Sequence, residues 1–275
     1  KTMLSGSRMT IIAGVFSVCA ILCYLLCFKM VQERVQLTTK SEKLDLGKLV
    51  KSIATNRSLM GIIAAALMLL LSQLTMSGMS NYYGSAAAQS LSSLVGMAGT
   101  LLICAPTAVK LSQKFGKKEL ATAGAIVGAV SYLLCFLLRP SNPFVFVAFA
   151  AVATISMGYF NTVVWAMITD VIDDTEVRTG VREDGTVYSV YSFARKLGQA
   201  ISSGLIGALL TMVGYSEATA FDPAVTGKIF YLACLAPFAG FVALALILVF
   251  LYPLNKTRVE QNVATLAARR EGKEN

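Results

Sequence analysis

Apolar residues run along this chain in long, nearly unbroken stretches, separated by short polar and mostly basic segments. Seven stretches reach the roughly 20 residues that a helix needs to cross a bilayer. They fall at about 9–28, 58–79, 91–109, 120–138, 144–168, 186–214 and 228–252. Unpaired backbone groups are costly in hydrocarbon, so each stretch is expected to be an α-helix. The short alternating segments of a strand barrel are not visible. The pattern predicts an all-α integral membrane protein with seven transmembrane helices.

Segment lengths suggest the internal organisation. Residues 29–57 are polar, lysine-rich and longer than the other connections. They read as a central loop between a leading helix, 1–28, and a block of six spans, 58–255; a polar, basic tail, 256–275, is expected as a frayed helix. Seven spans place the termini on opposite sides. The first residue is Lys rather than Met and a span follows almost at once, so further helices are expected upstream. The first stretch also lacks the small-residue cleavage site of a signal peptide.

Composition agrees with the hydropathy pattern. The apolar fraction is 56% and the mean hydropathy is +0.66, too apolar for an ordinary soluble domain. Charge then orients the spans. If 29–57 is cytoplasmic, Lys1, Arg8, Arg139 and Lys228 fall outside, the pair Arg195/Lys196 falls within a span, and every other Lys and Arg falls on the cytoplasmic side. That asymmetry predicts a cytoplasmic C-terminus in the plasma (inner) membrane. It also accounts for the net charge of +9 without a nucleic-acid partner.

Several chemistries are excluded or weak. The chain has no His, which removes His-based triads, His–zinc sites and His proton relays. No phosphate-binding G-x-x-x-x-G-K-[ST] stretch occurs, and the chain does not read as an enzyme. Cys19, Cys23 and Cys27 share a helix face, and packing is the simpler reading for them than a soft metal. Gly124 and Gly128, and Gly204 with Gly207, suit close helix packing.

Acids gather in the run Thr169 to Gly185. Asp170, Asp173 and Glu176 are spaced three apart, so a helical continuation places them on one face, with Arg182 close by in sequence. The run reads either as a solvated loop or as a charge cluster that opens and closes a gate. Lys196 lies ten residues past Thr186, about 15 Å into its span and near the middle of a ~30 Å core. A cation there costs at least about 2.5 kcal/mol and is too deep to snorkel. No Asp or Glu lies comparably deep in the seven spans, which points to a carboxylate partner in helices outside this sequence. Arg195 follows Ser192 by three residues and shares its face. It could grip a substrate carboxylate bidentately, favouring a uronic-acid glycoside, or pair with an acid of another half.

The run D-V-I-D-D-x-E-x-x-x-G-V-R-E-D-G-x-x-Y-S, Asp170 to Ser189, is followed by F-x-R-K-x-G-Q-A, Phe193 to Ala200, and by Gly214–Tyr215. This order and spacing resemble the glycoside–pentoside–hexuronide:cation symporters of the melibiose permease and glucuronide permease type, within the major facilitator superfamily. Span count and loop lengths then correspond to helices six to twelve of a twelve-helix fold. The resemblance implies a cation-coupled symporter, driven by Na⁺ or H⁺, with no other cofactor. It would move a glycoside or hexuronide through a cavity shared with an N-terminal half of the same protein. It implies that Lys196 sits beside the carboxylates of the coupling-ion site, that Ser192 belongs to the sugar site, and that Asp170, Asp173, Glu176 and Arg182 form the cytoplasmic gate. Asn161 aligns with the family's sugar-stacking tryptophan, whereas the single tryptophan here, Trp165, lies one turn on. Tyr188 completes the candidate substrate residues. Gln73, Ser77 and Asn81 favour a sugar more weakly. A lysolipid symporter of the same superfamily, or a non-transporting receptor or structural subunit, is the alternative.

Overall fold

The computed structural model describes residues 6–30, 55–83, 86–140, 142–216, 219 and 222–274. Most of the expected central loop, 31–54, lies outside them, as does the side chain of Asn81. Among the described residues, regular structure is helical throughout. The chain divides into two units, Lys1–Asp45 and Leu46–Asn275.

In the first unit the described element is α1, Gly6–Met30. Its side chains from Thr10 to Met30 are exposed all round. Cys19, Cys23 and Cys27 are exposed on it.

The second unit is a helical bundle. Its elements are α2, Arg57–Tyr83; α3, Ala86–Gly99; and α4, Ala105–Phe115. Then come α5, Lys117–Leu138; α6, Pro143–Thr179; α7, Asp184–Met212; α8, Pro223–Leu246; and α9, Lys256–Glu274. Widened π-type turns at Thr100–Cys104 and Ile247–Leu251 join α3 to α4 and extend α8. Helix α5 packs on α6 and α8, α2 on α7 and α8, and α9 on α6.

Local chemistry sets the boundaries. Pro143 opens α6 where no amide partner is needed, and the Asn142 side chain accepts from the Phe144 amide. Asp222 and Pro223 begin α8 in the same way. Gly180, at φ +76°, takes the left-handed turn that ends α6, a conformation costly for other residues.

Burial in lipid gives helices little mutual hydrophobic attraction, so close packing of small residues has to hold the bundle. The inward face of α5 is Ala121, Gly124, Ala125, Gly128 and Ala129. A Cβ on Gly124 would stand 2.6 Å from the Ser156 carbonyl oxygen, and one on Gly128 2.9 Å from the Phe241 ring. That pair is a packing motif. Gly204 and Gly207 meet nothing within 4 Å, so close packing does not explain them. Buried hydroxyls such as Ser72, Ser156 and Ser202 donate to carbonyls one turn back, which satisfies them inside the helix.

Six of the described helical segments are long and apolar enough to cross a membrane: Thr10–Met30, Arg57–Ser77, Leu94–Phe115, Lys117–Leu138, Phe144–Thr179 and Ala224–Leu251. The seventh expected span corresponds to α7, which has 29 residues and is interrupted midway by Arg195 and Lys196. Two expectations change. The span at 144–168 belongs to a 37-residue helix, roughly 55 Å long and well beyond a ~30 Å core. The acid run through Thr179 is therefore helical, not a loop. The tail is also not frayed: α9 lies against α6 with Asn262 and Leu266 buried.

Candidate functional site: the aromatic and cationic face of α7

Midway along α7 the spacing Tyr188, Tyr191, Ser192, Arg195 keeps four side chains on one face. Trp165 of α6 meets this face. Its indole stacks on Tyr188 at 6.3 Å between ring centroids, with planes inclined by 19°. It meets Tyr191 edge-on at 5.7 Å. The Arg195 guanidinium lies 5.5 Å from the Trp165 centroid and 5.9 Å from that of Tyr191, within cation–π range. A guanidinium carries its N–H donors in a planar fork, a geometry that matches a bidentate anion.

Trp165 is 46% exposed, so the indole presents a surface as well as packing. Ser192 is exposed on the turn before Arg195. Lys196 points to a neighbouring part of the helix, where its Nζ donates to Gln199 Oε1 at 3.3 Å. Among the described residues, no acid stands within ion-pair distance of Arg195 or Lys196. Asn161 is half-buried one turn before Trp165. The structure thus brings Trp165, Tyr188 and Arg195 together, keeps Ser192 on their face, and leaves Asn161 and Lys196 beside the group. Tyr191 and Gln199 were missed, although Tyr191 sits at the i+3 position from Tyr188 and four before Arg195.

A second cluster lies at the basic end of the bundle, where Arg57, Lys114–Lys118, the end of α6 and the start of α9 meet. The turn after Gly180 folds Arg182 back on the last turns of α6. One nitrogen, Nη1, donates to Asp173 at 2.9 Å and Glu176 at 2.8 Å; Nε donates to Asp184 at 2.8 Å. Burial alone would lower the Arg182 pKa, but the hydrogen bonds to Glu176, Asp173 and Asp184 outweigh it and raise the pKa above its ordinary range. Asp170 does not join this hub. It pairs with Lys117 at the start of α5, 2.6 Å away. The gate residues read from the sequence therefore divide into two ion-pair groups, both closed within this bundle.

Asp174 is the acid that sequence reasoning undervalued. It is 1% exposed and accepts from Ser58 Oγ at 2.7 Å, Asn262 Nδ2 at 3.2 Å and Arg258 Nη2 at 3.2 Å. The pattern was available: Val163, Met167, Asp170 and Asp174 continue one buried stripe at spacings of four, three and four. Arg269 donates to the carbonyls of Glu176 and Val177, capping the negative end of α6.

A family model described as MFS/sugar transport protein matches residues 2–256. The chain is 30% identical over 264 residues to the glucuronide carrier protein homolog of Escherichia coli (strain K12), covering 94% of this chain and 57% of that protein. It is 30% identical over 265 residues to the uncharacterized symporter YjmB of Bacillus subtilis (strain 168), covering 93% and 57%. Against the putative sulfoquinovose importer of Salmonella typhimurium it is 30% identical over 271 residues, covering 95% and 56%. The chain spans about half the length of these curated relatives.

Proposed function

Because the chain belongs to the MFS/sugar transport protein family, we propose that it forms one side of a cation-coupled symporter for acidic sugars that works by alternating access. The opposite side of the cavity is supplied by an N-terminal half, in keeping with the greater length of the relatives. The observation that carries this reading is Arg195, within cation–π range of Trp165 and Tyr191 on α7, one of the seven expected spans, with no acid to neutralise it among the described residues. A midplane cation is costly unless it meets an anion. Glucuronides and sulfoquinovose, the sugars named for two relatives, carry a carboxylate and a sulfonate. Either group fits the in-plane donors of a guanidinium.

In this reading Trp165 and Tyr188 stack on the sugar ring, while Ser192 and Asn161 hydrogen-bond its hydroxyls. Lys196 faces the carboxylates of the N-terminal half and tunes a Na⁺ or H⁺ site. Coupling is then a reciprocal free-energy linkage between ion and sugar. The Asp170–Lys117 pair and the Arg182 hub mark the cytoplasmic end of the inner membrane protein. They break and re-form as the halves rock. The substrate class is tested in vesicles carrying the complete gene product. Uptake of a labelled glucuronide and of a neutral glycoside is followed with an imposed Na⁺ or proton gradient. Gradient-driven glucuronide uptake that Arg195→Ala abolishes, without a matching loss of neutral uptake, is expected. An unchanged preference for acidic over neutral sugar in Arg195→Ala would overturn the anion role.

A further inference from the structure

On the outer surface of the bundle, α5 and α8 leave a groove of about 350 Å³. It is lined by apolar side chains, among them Ile126, Ala129, Val130, Phe238, Val242 and Val249. Ile126, Val130 and Val249 are about half exposed. The groove opens beside the widened turn Ile247–Leu251, where the helix ladder is disturbed and carbonyls are freed. Two cations collect them. Lys118 Nζ donates to the carbonyls of Val249 at 3.2 Å and Tyr252 at 2.7 Å. Arg57 Nη2 donates to that of Phe250 at 2.7 Å. Carbonyls are dipoles and cancel no charge. Among the described residues, neither cation has an acid within ion-pair distance.

We propose that this groove and its two cations form a binding site for an anionic glycerophospholipid, with an acyl chain in the groove and the headgroup phosphate at Arg57 and Lys118. The register supports it. Lys118 and Ala129 are eleven residues apart, three helical turns, so both lie on one face of α5 about 16 Å apart along the axis. That is roughly half of a ~30 Å hydrocarbon core, the depth of one leaflet. A sugar is a poor occupant, because its hydroxyls would find no partner among apolar walls. Anchoring Arg57 and Lys118 on carbonyls fixes their positions in advance, as a headgroup site requires.

The test uses the complete gene product in nanodiscs of phosphatidylcholine with or without phosphatidylglycerol. Retained lipid is read by native mass spectrometry and stability by thermal unfolding. The protein is expected to retain phosphatidylglycerol selectively and to melt higher in its presence. A cation near an anionic headgroup adds about fivefold in affinity, so Arg57→Gln with Lys118→Gln should reduce the selectivity by up to roughly 25-fold. Lys110→Gln, an exposed basic residue on α4, should leave it intact. Because Arg57 and Lys118 also cap carbonyls, a second variant leaves the charges in place: Ile126→Trp, at a half-exposed position of the lining, fills the groove and should displace the lipid. Selectivity that stays at the level of the unsubstituted protein in the charge variant or in the groove variant would overturn the proposal. So would an equal rise in melting temperature with inorganic phosphate in place of lipid, or a groove occupied by a second copy in cross-linking. Transport activity plays no part in these readouts, so their failure leaves the symporter reading untouched.

Discussion

Asp174 is expected to fasten the C-terminal helix to the bundle, and replacing it should release that helix. In Asp174→Ala, Ser58 and Asn262 lose their acceptor while both stay buried. An unsatisfied buried polar group costs about 1–3 kcal/mol. Arg258 is 47% exposed and can return to water, so the loss of its pairing adds only about 0.5 kcal/mol. With partial relaxation the whole change is about 3 kcal/mol, which corresponds to roughly a 100-fold rise in local opening. Hydrogen–deuterium exchange over α9 reads that opening directly. Asp174→Ala and Arg258→Gln should be non-additive, because they remove one shared contact. Glu260→Gln, whose partner Lys256 is 3.9 Å away at the surface, should change nothing. If exchange of α9 rises less than about threefold in Asp174→Ala, or if Asp174→Ala and Arg258→Gln add fully, the tail is held by something else and the reasoning fails.

Two further outcomes follow from the geometry. Gly124→Ala places a methyl group against the Ser156 carbonyl oxygen, so α5 and α6 must separate; a loss of about 1–3 kcal/mol is expected, read as thermal stability in detergent. Gly204→Ala, with open space around it, should be neutral or slightly stabilising by helix propensity. For Arg182, hydrogen bonds to Glu176, Asp173 and Asp184 outweigh burial and raise the pKa above the ordinary arginine range. A raised pKa means the contribution is complete below the unfolded value and is lost only as pH climbs past it. Stability from this hub should therefore hold steady from neutral pH to about 10, whereas Arg182→Lys, with an ordinary pKa near 10.4, should begin to lose it at about that pH. An equal alkaline decline in both proteins would exclude the pairing as the cause.

Spans were legible because lipid imposes a simple rule: long apolar runs become helices. The elements that escaped are those where burial and charge coincide. Helix α6 was cut short at 168 because the acids after it read as solvent-facing, yet Asp170 and Asp174 occupy the buried side of that same helix. Their partners, Lys117, Ser58, Arg258 and Asn262, are distant in sequence. No local pattern reveals such pairings, although the stripe continuing from Val163 and Met167 does. At the candidate site, Trp165, Tyr188 and Arg195 could each be singled out from spacing or family resemblance, but they sit on two helices, and no local pattern gives their mutual contact. Tyr191 was overlooked because aromatic residues on an apolar helix read as packing until a cation is found beside them.

The two clusters also differ in what they lack, and the difference bears on mechanism. At the basic end, Asp170, Asp173, Asp174 and Glu176 have cationic partners within the bundle. These pairs join elements of one bundle, so breaking them takes a shift of that bundle's own helices. On α7, Arg195 leans on aromatic rings and Lys196 on a side-chain amide, neutral partners that leave both charges uncompensated among the described residues. Uncompensated charge at mid-membrane has a large free energy that an incoming anion or an opposing carboxylate can lower. In the proposed symporter this arrangement would put the uncompensated charge where substrate and coupling ion meet, and keep the ion pairs of the basic end away from that point. Substrate binding would then change the net charge at the centre first. Any rearrangement of the Arg182 hub would be a response to movement of the helices, and not to the charge of the sugar itself.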